Sequence, residues 1–355
     1  MKEYIELLRQ MIRIPSFSRE EGPVAFLIRE FLDSKGVSFQ AKNNNTWARN
    51  RHWQEGKPVI LLNSHIDTVK PGKNWTKDPF GAELNGEKLT GLGSNDAGAS
   101  LITLMAVFIH LYEFTDLPYN LIFAASAEEE ISGSGGMEEL ICDLGQINLA
   151  IVGEPTRMQL AVAEKGLMVL DCTAHGRAGH AARDEGENAL YKALDDIQIL
   201  RSYRFEKTSA VLGNVKLSVT QINAGSQHNV VPDQCTFVVD VRTNEYYSNQ
   251  EAFNIIRGLI SSDTTARSFK LNSSGIPVHH PVIRRGIELG LSCYGSPTTS
   301  DQAVIPFHSV KIGPGDSARS HTADEYILIP EIEQGFQIYL NLLKNLELKN
   351  KGQKD

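Results

Sequence analysis

Five scattered stretches of the chain carry side chains that could hold a metal ion: His65 with Asp67, Asp96, the triplet Glu128-Glu129-Glu130, Glu154 and, much later, His321. Carboxylates that converge repel one another and raise each other's pKa, a penalty that a cation removes. Imidazole and carboxylate oxygen without thiolate is a donor set for zinc, cobalt or manganese rather than calcium. Asp67 stands two residues past His65, so in extended chain both side chains point the same way and Asp67 can accept the other ring N–H. Singly, these residues have ordinary explanations. An Asp before a helix caps it, and an acidic run at a helix start suits the helix dipole.

Position along the chain makes the joint pattern less ordinary. Val59-Ile60-Leu61-Leu62 is a short apolar run that predicts a buried parallel strand just before His65 and Asp67. Asn120 to Ala125 predicts a second strand, before the Glu triplet, and Asn148 to Val152 a third, before Gly153-Glu154. A long apolar helix from Ala97 to Leu111 begins at Asp96, a good N-cap type. Ligands of open parallel sheets bind beyond the carboxyl ends of the strands. Three strands and one helix N-terminus thus deliver metal-capable groups to one edge. In the C-terminal third, His321 follows the turn Gly313-Pro314-Gly315-Asp316 and is the best remaining candidate for a further ligand.

Strands alternating with helices predict an α/β fold, a mostly parallel sheet with helices on both faces. The middle third reads differently: strand 166–174, helix 186–202, strands 214–223 and 234–242, helix 248–261, strand 267–272. That β-α-β-β-α-β order predicts a smaller α+β domain. The expected organisation is a discontinuous catalytic domain, residues 1–164 and 273–355, with a lid or dimerisation domain inserted at 165–272. Residues 344–355 are rich in Lys and Asn and read as a solvated end.

Composition excludes several alternatives. The 355 residues are 41 % hydrophobic and 22 % charged, enough to bury a core. A net charge of −8 and no basic run longer than Arg284-Arg285 argue against a nucleic-acid partner. Cys142, Cys172, Cys235 and Cys293 lie far apart, which argues against disulfide, thiolate-zinc and redox motifs. The apolar stretch 101–109 is too short to span a bilayer, and the charged start Met1-Lys2-Glu3 lacks a signal-peptide core, so a cytoplasmic protein without a membrane partner is expected. There is no Gly-x-Ser-x-Gly elbow, no His-Glu-x-x-His and no phosphate loop. Gly91-Leu92-Gly93 lacks the third glycine of a dinucleotide site, and Asp96 would face the phosphate.

In order, Ser64-His65-Ile66-Asp67-Thr68-Val69, Gly91-Leu92-Gly93-Ser94-Asn95-Asp96, Ala127-Glu128-Glu129-Glu130, Gly153-Glu154-Pro155-Thr156 and Gly315 through His321 to Asp324-Glu325-Tyr326 resemble the motifs of one family. It is the zinc-dependent aminoacylase and carboxypeptidase family that includes acetylornithine deacetylase and succinyl-diaminopimelate desuccinylase. The resemblance runs through nearly the whole chain and implies two zinc ions per subunit, with cobalt as a substitute. It makes His65 and Glu154 ligands of one ion, Glu130 and His321 ligands of the other, and Asp96 the bridge. Spacing alone leaves the register of Glu128-Glu129-Glu130 open; the resemblance puts Glu129 at the general-base position and Glu130 at the ligand position. It also implies a cis peptide after Asp96. Three carboxylate ligands against two divalent cations leave one positive charge, which hydroxide would neutralise; metal binding lowers the pKa of water from 15.7 to about 7.

Within the inserted domain, Gly176-Arg177-Ala178-Gly179-His180-Ala181-Ala182 resembles the family's lid segment. The resemblance implies that His180 reaches the active site of a partner subunit in a homodimer and helps stabilise the oxyanion, and that Asn229 and Arg242 contact the substrate carboxylate. Thr298-Thr299-Ser300-Asp301 matches a substrate-side loop, with Pro297-Thr298 where a glycine pair is usual. The implied activity is a metal-dependent amidohydrolase for a small-molecule N-acyl amino acid, acetylornithine deacetylase-like and in arginine biosynthesis. A desuccinylase, dipeptidase or carboxypeptidase of the same family is the alternative, and a non-catalytic binding protein a more distant one. His52, His110, His175, His228, His279, His280 and His308 receive no role.

Overall fold

The computed structural model describes residues 1–348; residues 349–355, most of the Lys/Asn-rich end, lie outside the described residues. The chain forms two compact units. One comprises Met1–Val162, Gly275–Tyr294 and Ser300 onward, the other Ala163–Ser274 with Gly295–Thr299.

Apolar runs build the first unit's sheet. Its strands lie in the order Phe39–Lys42, Asn45–Arg49, Asn120–Ser126, Val59–His65, Leu149–Val152, Ser309–Lys311. Val59–His65 pairs in parallel with both Asn120–Ser126 and Leu149–Val152, and Ser309–Lys311 continues the parallel set. A hairpin of Phe39–Lys42 and Asn45–Arg49, which the sequence pattern did not reveal, adds an antiparallel edge. All seven residues of Val59–His65 are buried, because alternate side chains enter two separate cores. Ile60 and Leu62 pack with Leu8, Ile28, Leu104 and Tyr339, from four helices on one face. Leu61 and Ile122 pack with Met137, Leu140 and Leu144 of the helix Met137–Leu144 on the other. The fold is therefore α/β as expected, with helices on both faces. Ser94–Leu111 is long and apolar enough to cross a membrane by length and composition, but 83 % of it is buried inside the fold.

The second unit is a four-stranded antiparallel sheet in the order Lys216–Ala224, Gln234–Arg242, Met168–His175, Asp263–Ala266. Ala189–Ser202 starts at Asn188, whose side chain accepts the N–H of Leu190. Asn249–Leu259 starts at a Ser248–Glu251 capping box. Both helices pack on the sheet through Ala193, Leu200, Phe253 and Ile256. The last strand lies at 263–266, not 267–272. Phe269, within the expected range, packs edge-on against Phe253 at 5.3 Å, outside the ladder.

Candidate metal centre

Each strand of the first unit ends where a polar group is needed. His65 closes Val59–His65 and is 2 % exposed. Its Nε2 lies 3.4 Å from Asp96 Oδ1, 3.7 Å from Glu154 Oε1 and 3.9 Å from Glu129 Oε2. His321 Nε2 lies 2.9 Å from Glu130 Oε2 and 3.7 Å from Asp96 Oδ2. The two oxygens of Asp96 thus face different imidazoles. Ligand atoms of His65, Asp96 and Glu130, and of His65, Glu129 and Glu154, lie within 4.8 Å of one another. This nitrogen and oxygen set has the donor chemistry of a divalent-cation centre. His65 and Glu154 could hold one cation, and Glu130 and His321 another.

Asp96 does not cap the helix. The helix begins at Ala99 with Gly98 as its cap, because Asp96 and Ala97 have non-helical backbone angles; the Asp96–Ala97 peptide is cis. Glu325 holds this turn. Its Oε1 accepts the N–H groups of Asn95 and Asp96, each at 2.9 Å, and it is 2 % exposed. Sequence reasoning named Glu325 only as part of a motif. Its neighbour Asp324 instead accepts from Thr76 and Lys77.

The register of the Glu triplet is visible in its backbone. Asp67 accepts the N–H of Glu129 and of Glu130 and the hydroxyl of Ser18. Glu128 has a positive φ of 55°, and its carboxylate accepts from Gly135 on the far side of the loop. Gly133 and Gly135 leave room for it, since a Cβ at either would strike its side chain. Asp67 meets the His65 ring chiefly through its carbonyl, 2.9 Å from Nδ1, while its carboxylate lies at 3.4 Å. The expectation gave this contact to the Asp67 carboxylate; the nearer atom is the backbone carbonyl.

Burial and crowding set the charges. Burial opposes a charged His65, yet Glu129, Asp67, Asp96 and Glu154 outweigh it and hold the imidazole pKa well above its usual value. Burial pushes Glu154 up to about 8, with Asp96 and Glu130 adding to it against His65 and Lys311. Burial likewise lifts Glu129 well above the carboxylate range, His65 opposing and Glu154, Asp301 and Glu130 reinforcing. Asp301 is a further buried carboxylate beside the site. Its Oδ2 accepts from Asn63 and Ser126, at the carboxyl ends of two strands. Only its place after Ser300 in a loop motif hinted at it.

The inserted-domain candidates lie in the second unit. His180 pairs with Val230, and Asn229 accepts the N–H of Ala181, so His180 and Asn229 share one small ribbon. Arg242 stands at the far end of Gln234–Arg242 and forks onto Asp240. The nine-residue strand itself spans roughly 26 Å at 3.3 Å per residue, and the ribbon that carries Asn229 precedes its start at Gln234. His280 packs edge-on against His308 at 5.4 Å and joins no ligand group.

Residues 61–345 match the family model described as peptidase family M20/M25/M40. A LysW-lysine/LysW-ornithine hydrolase of Sulfurisphaera tokodaii is 29 % identical over 98 % of this chain and 96 % of its own. A succinyl-diaminopimelate desuccinylase of Wolbachia pipientis subsp. Culex pipiens is 24 % identical over 96 % of this chain and 92 % of its own. The YXEP protein of Bacillus subtilis, described as a dinuclear metal binding peptidase, shares the fold with a TM-score of 0.72 at 17 % identity, over 96 % of this chain and 97 % of its own. On the strength of that match, the chain belongs to peptidase family M20/M25/M40.

Proposed function

We propose that this hydrolase is a cytoplasmic dizinc amidohydrolase. It would remove an acyl group from the α-nitrogen of an N-acyl amino acid, acetylornithine deacetylase-like and in arginine biosynthesis. The observation that carries this reading is Asp96 turned with one oxygen toward His65 and the other toward His321, with Glu129 alongside. Two bound zinc ions would polarise the acyl carbonyl and make water acidic. Glu129 takes the proton from the attacking water and delivers it to the departing nitrogen. Asp67 fixes the backbone from which Glu129 and Glu130 project. His180 donates to the developing oxyanion, and Asn229 and Arg242 hold the substrate carboxylate; Arg suits this because its planar fork matches that group.

Asn229 precedes the start of Gln234–Arg242 and Arg242 ends it, an arrangement that suits a homodimer in which each copy supplies one of them to a site. Two features of the second unit support the same reading. Among the described residues, the edge strand Lys216–Ala224 pairs on one side only. Tyr191, Leu194 and Ile199 on Ala189–Ser202 are exposed apolar side chains.

The desuccinylase alternative draws on the likeness to a succinyl-diaminopimelate desuccinylase along 96 % of this chain. The test is hydrolysis of N-acetyl-ornithine, N-acetyl-citrulline, N-succinyl amino acids and dipeptides by chelator-treated protein, before and after adding zinc or cobalt. Metal-dependent release of acetate is the expected result. Release of succinate alone would install the alternative, and no hydrolysis of any amide would overturn both.

A further inference from the structure

We propose that Asn95 is a positioning residue that ties the turn carrying Asp96 to the loop carrying His321, and thereby sets how tightly the cation of His321 and Glu130 is held. The inference rests on the two-cation reading above.

Asn95 is fully buried. Its amide nitrogen donates to the Asp316 carbonyl at 3.1 Å and to Ser320 Oγ at 3.3 Å. Its amide oxygen accepts the Asp316 N–H at 2.9 Å. Both donor hydrogens and one acceptor position are therefore used in one direction, toward a loop more than 200 residues away. A carboxylate of the same shape has no hydrogen to donate. One side chain thus touches Ser320, the residue before His321, while its own backbone runs directly into Asp96.

Besides Asn95, the His321 loop is held by Arg319, whose guanidinium forks onto Glu331 at 2.7 and 3.0 Å and lies over the Tyr326 ring. From Asp316 to His321 it forms a single short turn, Ser317–Arg319, capped by Asp316. Outside the Asn95 contacts, Asp316 pairs with the exposed Arg157. The His321 side chain is 55 % exposed, and its backbone φ is +58°. Gly315 passes so close to Asn95 that a Cβ there would lie 2.3 Å from Oδ1, and its φ of +88° also requires glycine. His65, by contrast, is fixed by a fully buried strand. Loss of Asn95 should therefore weaken one cation position far more than the other.

The test is zinc titration against a competing chelator, with cobalt(II) absorption read separately for the first and second equivalents, on wild-type protein, Asn95→Ala, Asn95→Asp and Ser320→Ala. The expected result is two tight equivalents in wild type. In both Asn95 variants the first is retained, the second is weakened about 10- to 100-fold, and its cobalt spectrum is altered. Ser320→Ala should move the same way by a smaller factor, and it carries the test with Asn95→Asp if Asn95→Ala does not fold. Wild-type affinity for the second equivalent in the variants would overturn the inference while leaving the two-cation reading intact. So would equal weakening of both equivalents in step with melting temperature, the mark of a merely structural residue. Fewer than two equivalents in wild type would instead overturn the two-cation reading and the inference with it.

Discussion

Asp67 Oδ1 accepts the backbone N–H of Glu129 at 3.0 Å, across 62 residues of sequence. With Oδ2 on the N–H of Glu130 at 3.1 Å, one carboxylate decides which glutamates of the triplet face inward. Asp67→Asn keeps the shape but removes the charge and one acceptor. It should destabilise the protein by about 1–3 kcal/mol, measured by chemical denaturation, because a buried N–H loses its partner. Zinc affinity should fall with it, read by chelator competition.

Glu129→Gln removes the proton carrier and leaves the other acidic and imidazole donors in place. Turnover should drop by about 10²–10⁴-fold at unchanged zinc content, measured by amide hydrolysis alongside elemental analysis. Wild-type turnover in the variant would remove Glu129 from the mechanism.

Metal-free protein should lose stability as pH rises. Burial raises Glu154 from 4.5 to about 8, so the folded state binds its proton more tightly than the unfolded chain does. The stabilisation is complete below pH 4.5 and disappears as pH passes through 8. Glu129 and His65 shift in the same direction. Melting temperatures of chelator-treated protein should therefore fall between pH 5.5 and 8.5. Added zinc should abolish that fall, contributing about 4 kcal/mol when present at 1,000 times its dissociation constant.

His280 should give the opposite slope. Burial, then the charges of His308 and His279, lowers its pKa from 6.5 to about 4. The folded state therefore sheds this proton more readily than the unfolded chain. Its contribution is complete above pH 6.5 and is lost as pH falls toward 4. Neutral His280 also caps Pro281–Glu288, accepting the N–H of Val282 at 3.4 Å. His280→Asn keeps a capping acceptor that does not titrate, so its denaturation free energy should change less than that of wild type between pH 6.5 and 4.5.

Leu194→Asp places a charge among the exposed apolar side chains of Ala189–Ser202. Sedimentation should show wild-type dimers and variant monomers, and hydrolysis should fall together with the dimer fraction. A monomeric wild type at full activity would remove the need for a second copy.

Much of the site was legible because it follows continuous apolar strands. His65, Glu130 and Glu154 each lie at or within a few residues of the end of such a run, and the parallel sheet brings those ends together. What was not legible depends on hydrogen bonds between distant residues. Glu325 reaches back 230 positions to the N–H of Asn95, and no spacing rule marks that pairing. Asp96 looked like a cap because an acidic residue before an apolar run ordinarily is one; its carboxylate instead lies between two imidazoles. The edge hairpin Phe39–Lys42 and Asn45–Arg49 was missed because Gln40, Lys42, Asn45 and Arg49 break its apolar pattern.

The helix Ala99–Leu111 starts three residues after Asp96, and its residues from Ala99 through Phe108 are all buried. Their amide hydrogens should trade with deuterium only when the whole unit opens. The carboxylate that faces both imidazoles is thus carried on the stretch of chain that leads into this protected helix.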